Sequence, residues 1–113
     1  MKFNISKILA DISSDKLVAE RVEVNVMDWF KSNFRKKVNE EHIPNVQLGK
    51  PIVMAEIRPG MYSVIDGNHR MERAYRDGVE IVEAFRLKGE QLLPYFSDSR
   101  GYETFVEYWN SKL

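Results

Sequence analysis

The chain has 113 residues, the size of one ordinary domain, so we expect a single domain over residues 1–113. Its charged share is 30% and its hydrophobic share 43%, and six Phe, five Tyr and two Trp can fill a core, which excludes an intrinsically disordered chain. Seventeen basic residues balance seventeen acidic ones, so the net charge does not favour nucleic acid as a partner. The absence of cysteine excludes disulfides, thiolate zinc sites and thiol nucleophiles.

The first segment of the chain resembles neither a signal peptide nor a membrane span, because Lys7 and Asp11 interrupt its apolar run. We therefore expect a cytoplasmic protein without a membrane partner. Phe3 and Ile5 alternate with polar neighbours, a pattern that predicts a short first strand.

A second strand and a long helix are predicted next. Apolar and polar residues alternate over Arg21–Val26, which indicates a half-buried strand. Asp28 can then cap a helix of about four turns, with an apolar stripe at four-residue spacing: Phe30, Phe34 and Val38. The basic cluster Arg35–Lys37 falls on this helix, and Glu40 and Glu41 follow at spacings that allow helix ion pairs. We interpret the cluster as a solvated face rather than a DNA-binding patch.

A hairpin is predicted in the middle of the chain. Ile52–Ile57 and Tyr62–Ile65 are the strand candidates, and Arg58–Met61 between them has proline and glycine where a type II turn favours them.

The hairpin leads into a predicted helix and a further strand. Asp66–Asn68 interrupts the apolar run and can open a helix that ends near Gly78. Arg73 and Arg76 point away from its predicted buried face, so we expect ordinary solvated charges there; that face consists of Met71, Ala74 and Tyr75. Ile81–Leu87 has the composition of a strand.

Two helical segments complete the predicted elements. Glu90–Phe96 is predicted to be helical despite Pro94, and a final helix begins near Gly101. Its apolar side chains fall at helical spacing and are expected to pack on the sheet: Tyr102, Phe105, Val106 and Trp109. The predicted architecture is an α+β domain with a small mixed sheet and packed helices.

The segment richest in chemical information is the turn between the Tyr62–Ile65 strand and the helix that follows. A helix N-terminus presents unpaired N–H groups and the positive end of the helix dipole. Gly67 would remove a Cβ that could obstruct an anion, and Arg70 can offer a bidentate fork. Together these features predict a phosphate cradle.

The same segment resembles a known family. Ile65–Ala74, followed by Gly78 and the strand Val79–Leu87, is similar to the turn, helix and strand of the ParB N-terminal and sulfiredoxin superfamily. Gly49–Val53 also fits the "P-I-x-V" loop that often precedes the hairpin in that family. The resemblance covers roughly residues 46–88 and implies a ParB/sulfiredoxin-like fold.

What the resemblance implies for function concerns the same turn. It implies that Gly67, Asn68, His69 and Arg70 bind the phosphates of ATP, CTP or a related anion. Asn68 stands where sulfiredoxins carry their catalytic cysteine, so sulfiredoxin activity is not expected. The segments by which ParB proteins read DNA and dimerise do not fit within 113 residues, so we expect an isolated nucleotide-binding core.

Phosphoryl or phosphodiester chemistry would require Mg²⁺ and a positioned carboxylate. Glu56, Asp66 and Glu72 are the candidates nearest to the turn in sequence. Glu56 and Asp66 also have structural interpretations, the first as a solvent-facing strand residue and the second as a turn or cap residue. An HNH nuclease would need further histidines, and the chain has His42 alone besides His69.

Three functions follow from these patterns, in descending order of support. The first is nucleotide-phosphate binding with Mg²⁺, with hydrolysis, phosphotransfer or nuclease activity as the reactions open to it. The second is a non-catalytic interaction module on the same fold, with a protein partner or a homodimer. The third is DNA binding through Arg35–Lys37.

Overall fold

The centre of the protein is a four-stranded mixed sheet with the order β1-β4-β2-β3, seen in a computed structural model that describes residues 2–113. The strands are β1 (Glu20–Asn25), β2 (Ile52–Arg58), β3 (Met61–Asp66) and β4 (Ile81–Leu87). β2 and β4 are parallel, whereas the β1–β4 and β2–β3 pairs are antiparallel. The fold is therefore of the mixed α+β class that the sequence predicts.

Helices cover both faces of the sheet. α2 (Val26–Ser32) and α3 (Asn68–Arg76) pack on one face, against what we call the first core. The second core, on the opposite face, is shared by α1 (Ile5–Ser13) and α4 (Ser99–Lys112), and by a 3₁₀ helix over Gly89–Tyr95. None of the helices within residues 2–113 combines the length and the apolarity needed to cross a membrane.

β2 lies between the two cores, and this position explains the apolar run Ile52–Ala55 at its start. Ile52 and Met54 belong to the first core, and Val53 and Ala55 belong to the second. All four side chains are buried, as expected for an interior strand covered on both faces. The start of β2 is consequently a rigid support for the loop and the turn that lie beside it.

The predictions for most of the regular elements are confirmed. The four strands from residue 20 onward lie within one residue of their predicted bounds. Gly60 has φ +75°, as the third position of the predicted type II turn requires. The 3₁₀ helix confirms the helical segment around Pro94, and Phe105 of α4 is buried in the second core.

The predicted strand at Phe3 and Ile5 is wrong. Phe3 makes a single isolated bridge to Phe96, and Ile5 already begins α1. The reason is Asn4, whose side chain accepts a hydrogen bond of 3.1 Å from the N–H of Lys7 and so caps the helix.

The predicted long helix from Asp28 is also wrong. α2 begins at Val26, three residues earlier, because Asn25 rather than Asp28 is the cap and accepts from the N–H of Asp28 at 2.9 Å. It ends at Ser32, since the side-chain amide of Asn33 donates to the Trp29 carbonyl, the group that the next helical N–H would use. Phe34, placed by the prediction on the apolar stripe, is 97% exposed.

Candidate functional site

The turn between β3 and α3 is built around Gly67. This residue has φ +100°, a conformation that glycine adopts readily. A Cβ placed on Gly67 would lie 2.5 Å from Cγ2 of Ile52 in β2. The sequence argument assigned the missing Cβ to anion access, whereas the structure shows that close packing against β2 requires it.

Arg70 holds the turn to the neighbouring loop. Its Nη1 donates to the carbonyl of Lys50 at 3.1 Å and to the carbonyl of Pro51, and its Nη2 donates to Asp66 Oδ2 at 3.1 Å. Only 16% of the Arg70 side chain is exposed. Three of its five N–H donors are thus used inside the protein, so its main role in this structure is to fix the loop and the turn.

Both histidines of the chain meet beside this turn. The rings of His42 and His69 are perpendicular, with centroids 4.9 Å apart, and Nε2 of His69 accepts a hydrogen bond of 3.2 Å from the N–H of Asn39. His69 therefore carries its proton on Nδ1 in this arrangement. His42 lies in an irregular segment, as the sequence predicts, but nothing in the sequence pattern indicates that it joins the site.

A cleft of about 310 Å³, which we call the α3 cleft, opens at this end of α3. Its walls come from the β3–α3 turn and from the loop before β2, and are formed by His42, Asn45, Val46, Gln47, Lys50, Asp66, Gly67, His69 and Arg70. No side chain caps α3, and its first turn carries no acidic residue. Gly67, at the uncapped start of α3, and Lys50 therefore line the same cleft, in which Asp66 is already paired with Arg70.

The four residues of the predicted phosphate turn divide between two cavities. Gly67, His69 and Arg70 line the α3 cleft. The Asn68 side chain donates to the carbonyl of Val64 at 3.4 Å and lines a separate cavity of about 200 Å³ with aromatic walls. The Asn68 side chain thus lies outside the cleft, although its backbone N–H belongs to the first turn of α3.

The three candidate carboxylates do not come together. Asp66 lines the α3 cleft, but the Glu56 carboxylate accepts from the N–H groups of Gly60 at 2.8 Å and Gly89 at 3.0 Å, toward the hairpin end of β2. Glu72 is buried on α3 among arginines. Within residues 2–113, no three histidine or acidic side chains are grouped so that they could hold a metal ion.

Glu72 is the centre of an ion-pair network that the sequence analysis did not predict. Its carboxylate accepts from Arg35 in a two-pronged contact and from Nε of Arg76 at 2.7 Å. The hydrogen bond from Arg35, with help from Arg76, keeps the pKa of Glu72 below its ordinary value although burial acts in the opposite direction.

Two further predictions are corrected by these contacts. Arg73 and Arg76 are not free solvated charges, because Arg73 donates to the carbonyls of Ile43 and Pro44 and Arg76 pairs with Glu40. The cluster Arg35–Lys37 is not the face of a helix either. Arg35 pairs with Glu72, and Lys36 Nζ lies 3.4 Å from the Val64 carbonyl, so two of its three cations have partners within the protein although both residues are exposed.

Lys50 is the residue of the α3 cleft that the sequence analysis overlooked most clearly. It was noted only as part of the loop Gly49–Val53, and its proximity to the turn depends on the Arg70 contact with the loop carbonyls.

Comparison of the chain with protein-family models, with curated proteins and with solved structures finds no match.

Proposed function

We propose that the protein binds a phosphorylated small molecule, a nucleotide such as ATP or CTP, with its phosphates in the α3 cleft. The observation that carries the proposal is that Gly67, at the uncapped start of α3, lines the same cleft as Lys50 and His69. Unpaired helix N–H groups and a nearby cation are the usual partners of a phosphate. The resemblance of Ile65–Ala74 to the ParB and sulfiredoxin turn supports a nucleotide as the source of that phosphate.

The roles within this proposal differ from residue to residue. The N–H groups of the first turn of α3 and the Lys50 ammonium bind the phosphate oxygens. His69, whose Nε2 accepts from the N–H of Asn39, can offer its Nδ1–H to a phosphate oxygen. Arg70 acts mainly by holding Lys50 and the turn in place, with its two remaining N–H groups able to reach the ligand.

The α3 cleft could hold Mg²⁺ only together with the phosphates of the ligand. Magnesium in nucleotide sites is commonly held by one or two carboxylates together with phosphate oxygens. Asp66 is the carboxylate among the lining residues, and it is paired with Arg70. Since Glu56 and Glu72 lie elsewhere, a hydrolase, phosphotransferase or nuclease step would have to rely on Asp66, and we propose binding rather than a particular reaction.

The test is calorimetric titration of ATP and CTP, with and without Mg²⁺, into the wild type and into Lys50→Ala. We expect micromolar binding by the wild type and about tenfold weaker binding by the variant, the loss typical of one charged hydrogen bond. Lys16→Ala removes the same charge from an exposed turn outside the cleft and should bind like the wild type. Absence of binding to both nucleotides, or equal loss in the two variants, would refute the proposal.

A second candidate is the non-catalytic interaction module. The observation that favours it is Phe34, which is 97% exposed at the rim of the aromatic-lined cavity beside Trp29 and Phe30. An exposed aromatic side chain of this kind is typical of protein contact surfaces. A complex with another protein, or self-association, that is lost in Phe34→Ser but retained in Lys50→Ala would establish this function instead.

A further inference from the structure

Residues 35–46, which we call the strap, are fastened to α3 by a chain of four alternating charges. Arg35 of the strap pairs with Glu72, with Nε to Oε1 at 2.9 Å. Glu72 also pairs with Arg76 at 2.7 Å, and Arg76 pairs with Glu40 of the strap through two hydrogen bonds of 2.7 and 2.8 Å. The two helix residues thus lie between the two strap residues, and each contact supports the next.

Glu72 is the buried member of this network. Its side chain is 4% exposed, whereas those of Arg35 and Glu40 are 48% and 69% exposed. A buried carboxylate without partners is very unfavourable, so Glu72 strongly favours the arrangement in which both arginines reach it. The guanidinium of Arg35 also lies 4.5 Å from the centre of the Tyr75 ring, which fixes its plane over α3.

The other contacts of the strap are mostly polar. It forms no regular structure apart from a 3₁₀ turn over Ile43–Asn45. Ile43 is the one buried side chain of the strap, whose residues all lie in the described part of the chain, and further polar contacts join the strap backbone to Arg73 and His69. Its position therefore depends on charged and polar anchors rather than on a broad apolar face.

The strap also forms part of the α3 cleft. His42, Asn45 and Val46 line the cleft, whereas Arg35 and Glu40 do not. Removing the anchors would therefore change one wall of the cleft without removing any group from it.

We propose that Glu72 is a positioning residue, and that its network with Arg35, Arg76 and Glu40 keeps the strap docked and so sets the affinity of the α3 cleft for phosphorylated ligands. This inference rests on the proposed function. Glu72 is one of the three carboxylates that the sequence offers as catalytic candidates. In this proposal it has a different role, since it touches no ligand and acts through the strap. If the docked strap is needed for binding, the apparent affinity falls in proportion to the fraction of molecules that hold it.

The test uses the double variant Arg35→Gln/Glu40→Gln, which removes both strap anchors, leaves the net charge unchanged and alters no residue that lines the cleft. Its matched control is Arg21→Gln/Glu83→Gln, an exposed ion pair between β1 and β4 with the same composition. Two measurements are made on each: the rate of tryptic cleavage after Lys36 and Lys37 without ligand, and ATP affinity by calorimetry. Arg35→Lys, which keeps the charge but loses the fork, is expected to fall between wild type and double variant.

We expect cleavage after Lys36 and Lys37 to be about tenfold faster in the double variant than in the control, and ATP binding to be at least about fivefold weaker. Unchanged cleavage would overturn the inference, because the network would not be holding the strap. Faster cleavage with unchanged ATP affinity would overturn it as well, because the cleft would then be independent of the strap. Absence of ATP binding by the wild type would instead refute the proposed function. This outcome is recognisable because none of the proteins tested would then bind ATP.

Discussion

Gly67 and Ile52 are in such close contact that a Cβ on the glycine would lie 2.5 Å from Cγ2 of the isoleucine. Ile52 is fully buried at the start of β2 and cannot move aside without disturbing the first core. The turn that opens α3 is therefore fixed by packing as well as by its left-handed backbone.

Gly67→Ala is expected to destabilise the protein by about 3 kcal/mol, from backbone strain and the clash with Ile52 together. Two glycines separate these causes: Gly78 has φ +69° with open space around it, and Gly49 has neither constraint. Gly78→Ala should cost about 1 kcal/mol and Gly49→Ala close to nothing. Urea unfolding of the three variants measures this order, and equal costs at Gly67 and Gly78 would show that the contact with Ile52 relaxes freely.

Arg70→Lys should show that the guanidinium fork, and not the charge alone, holds the loop before β2. A lysine cannot reach the Lys50 and Pro51 carbonyls and Asp66 at once, so we expect a loss of about 2 kcal/mol. Arg100→Lys, at an exposed position of α4, is the matched control and should stay within about 0.5 kcal/mol of the wild type. Equal stability of both variants in thermal unfolding would contradict the structural role of Arg70.

Low pH should lower the stability of the protein through Glu72. The hydrogen bonds from its arginine partners keep the pKa of Glu72 below the ordinary value of 4.5, so the folded state binds this proton less readily than the unfolded chain. Its contribution is complete above the ordinary pKa and is lost as the pH falls through the lower pKa of the folded state. Urea midpoints measured from pH 7 down to pH 3 should therefore decline less steeply in Glu72→Gln than in the wild type; parallel curves would argue against this origin.

High pH should lower the stability of the protein through Tyr95, on the other side of the sheet. Burial, with the hydrogen bond of 2.7 Å that its hydroxyl donates to Asp11, raises the pKa of Tyr95 to about 12. The folded state thus retains a proton that the unfolded chain releases near pH 10, so this contribution is present below pH 10 and is lost as the pH rises to about 12.

Tyr95→Phe isolates that contribution. We expect a loss of about 1 kcal/mol at pH 7, the usual value for one hydrogen bond, and a smaller decline in stability than the wild type shows above pH 10. Ultraviolet titration of the phenolate band should lose its highest-pH component in the variant. An unchanged high-pH component would assign it to another tyrosine.

The strands could be predicted closely because their information is local. Alternation in β1 and the apolar run of β2 reflect which faces are covered, and the Pro59–Gly60 turn fixes the hairpin between β2 and β3. The length of α2 could not be predicted in this way, because Asn33 ends it through a side-chain contact that competes with the helix. Helical spacing of Phe30 and Phe34 carries no information about that competition.

The candidate site could be predicted only in part, because many of its contacts join residues that are far apart in the sequence. The glycine turn and Arg70 belong to one continuous segment and could be found from their spacing. The partners of that segment come from the strap and from the loop before β2, at separations such as the 37 residues between Arg35 and Glu72. Pairings over that distance depend on how the strands are ordered in the sheet, which no local pattern encodes.

The strand order has a consequence for how the molecule folds. Residues 52–87 contain β2, β3, α3 and β4, whose contacts close shorter loops than those of β1, since Glu20 of β1 lies 66 positions from Arg86, its partner in β4. Long loops are slow to close, so the segment 52–87 should organise first and β1, with α2 and the strap behind it, should join later. The two walls of the cleft should thus form at different stages of folding. We expect the glycine turn to form early and the histidine-bearing wall to be completed only when the strap docks.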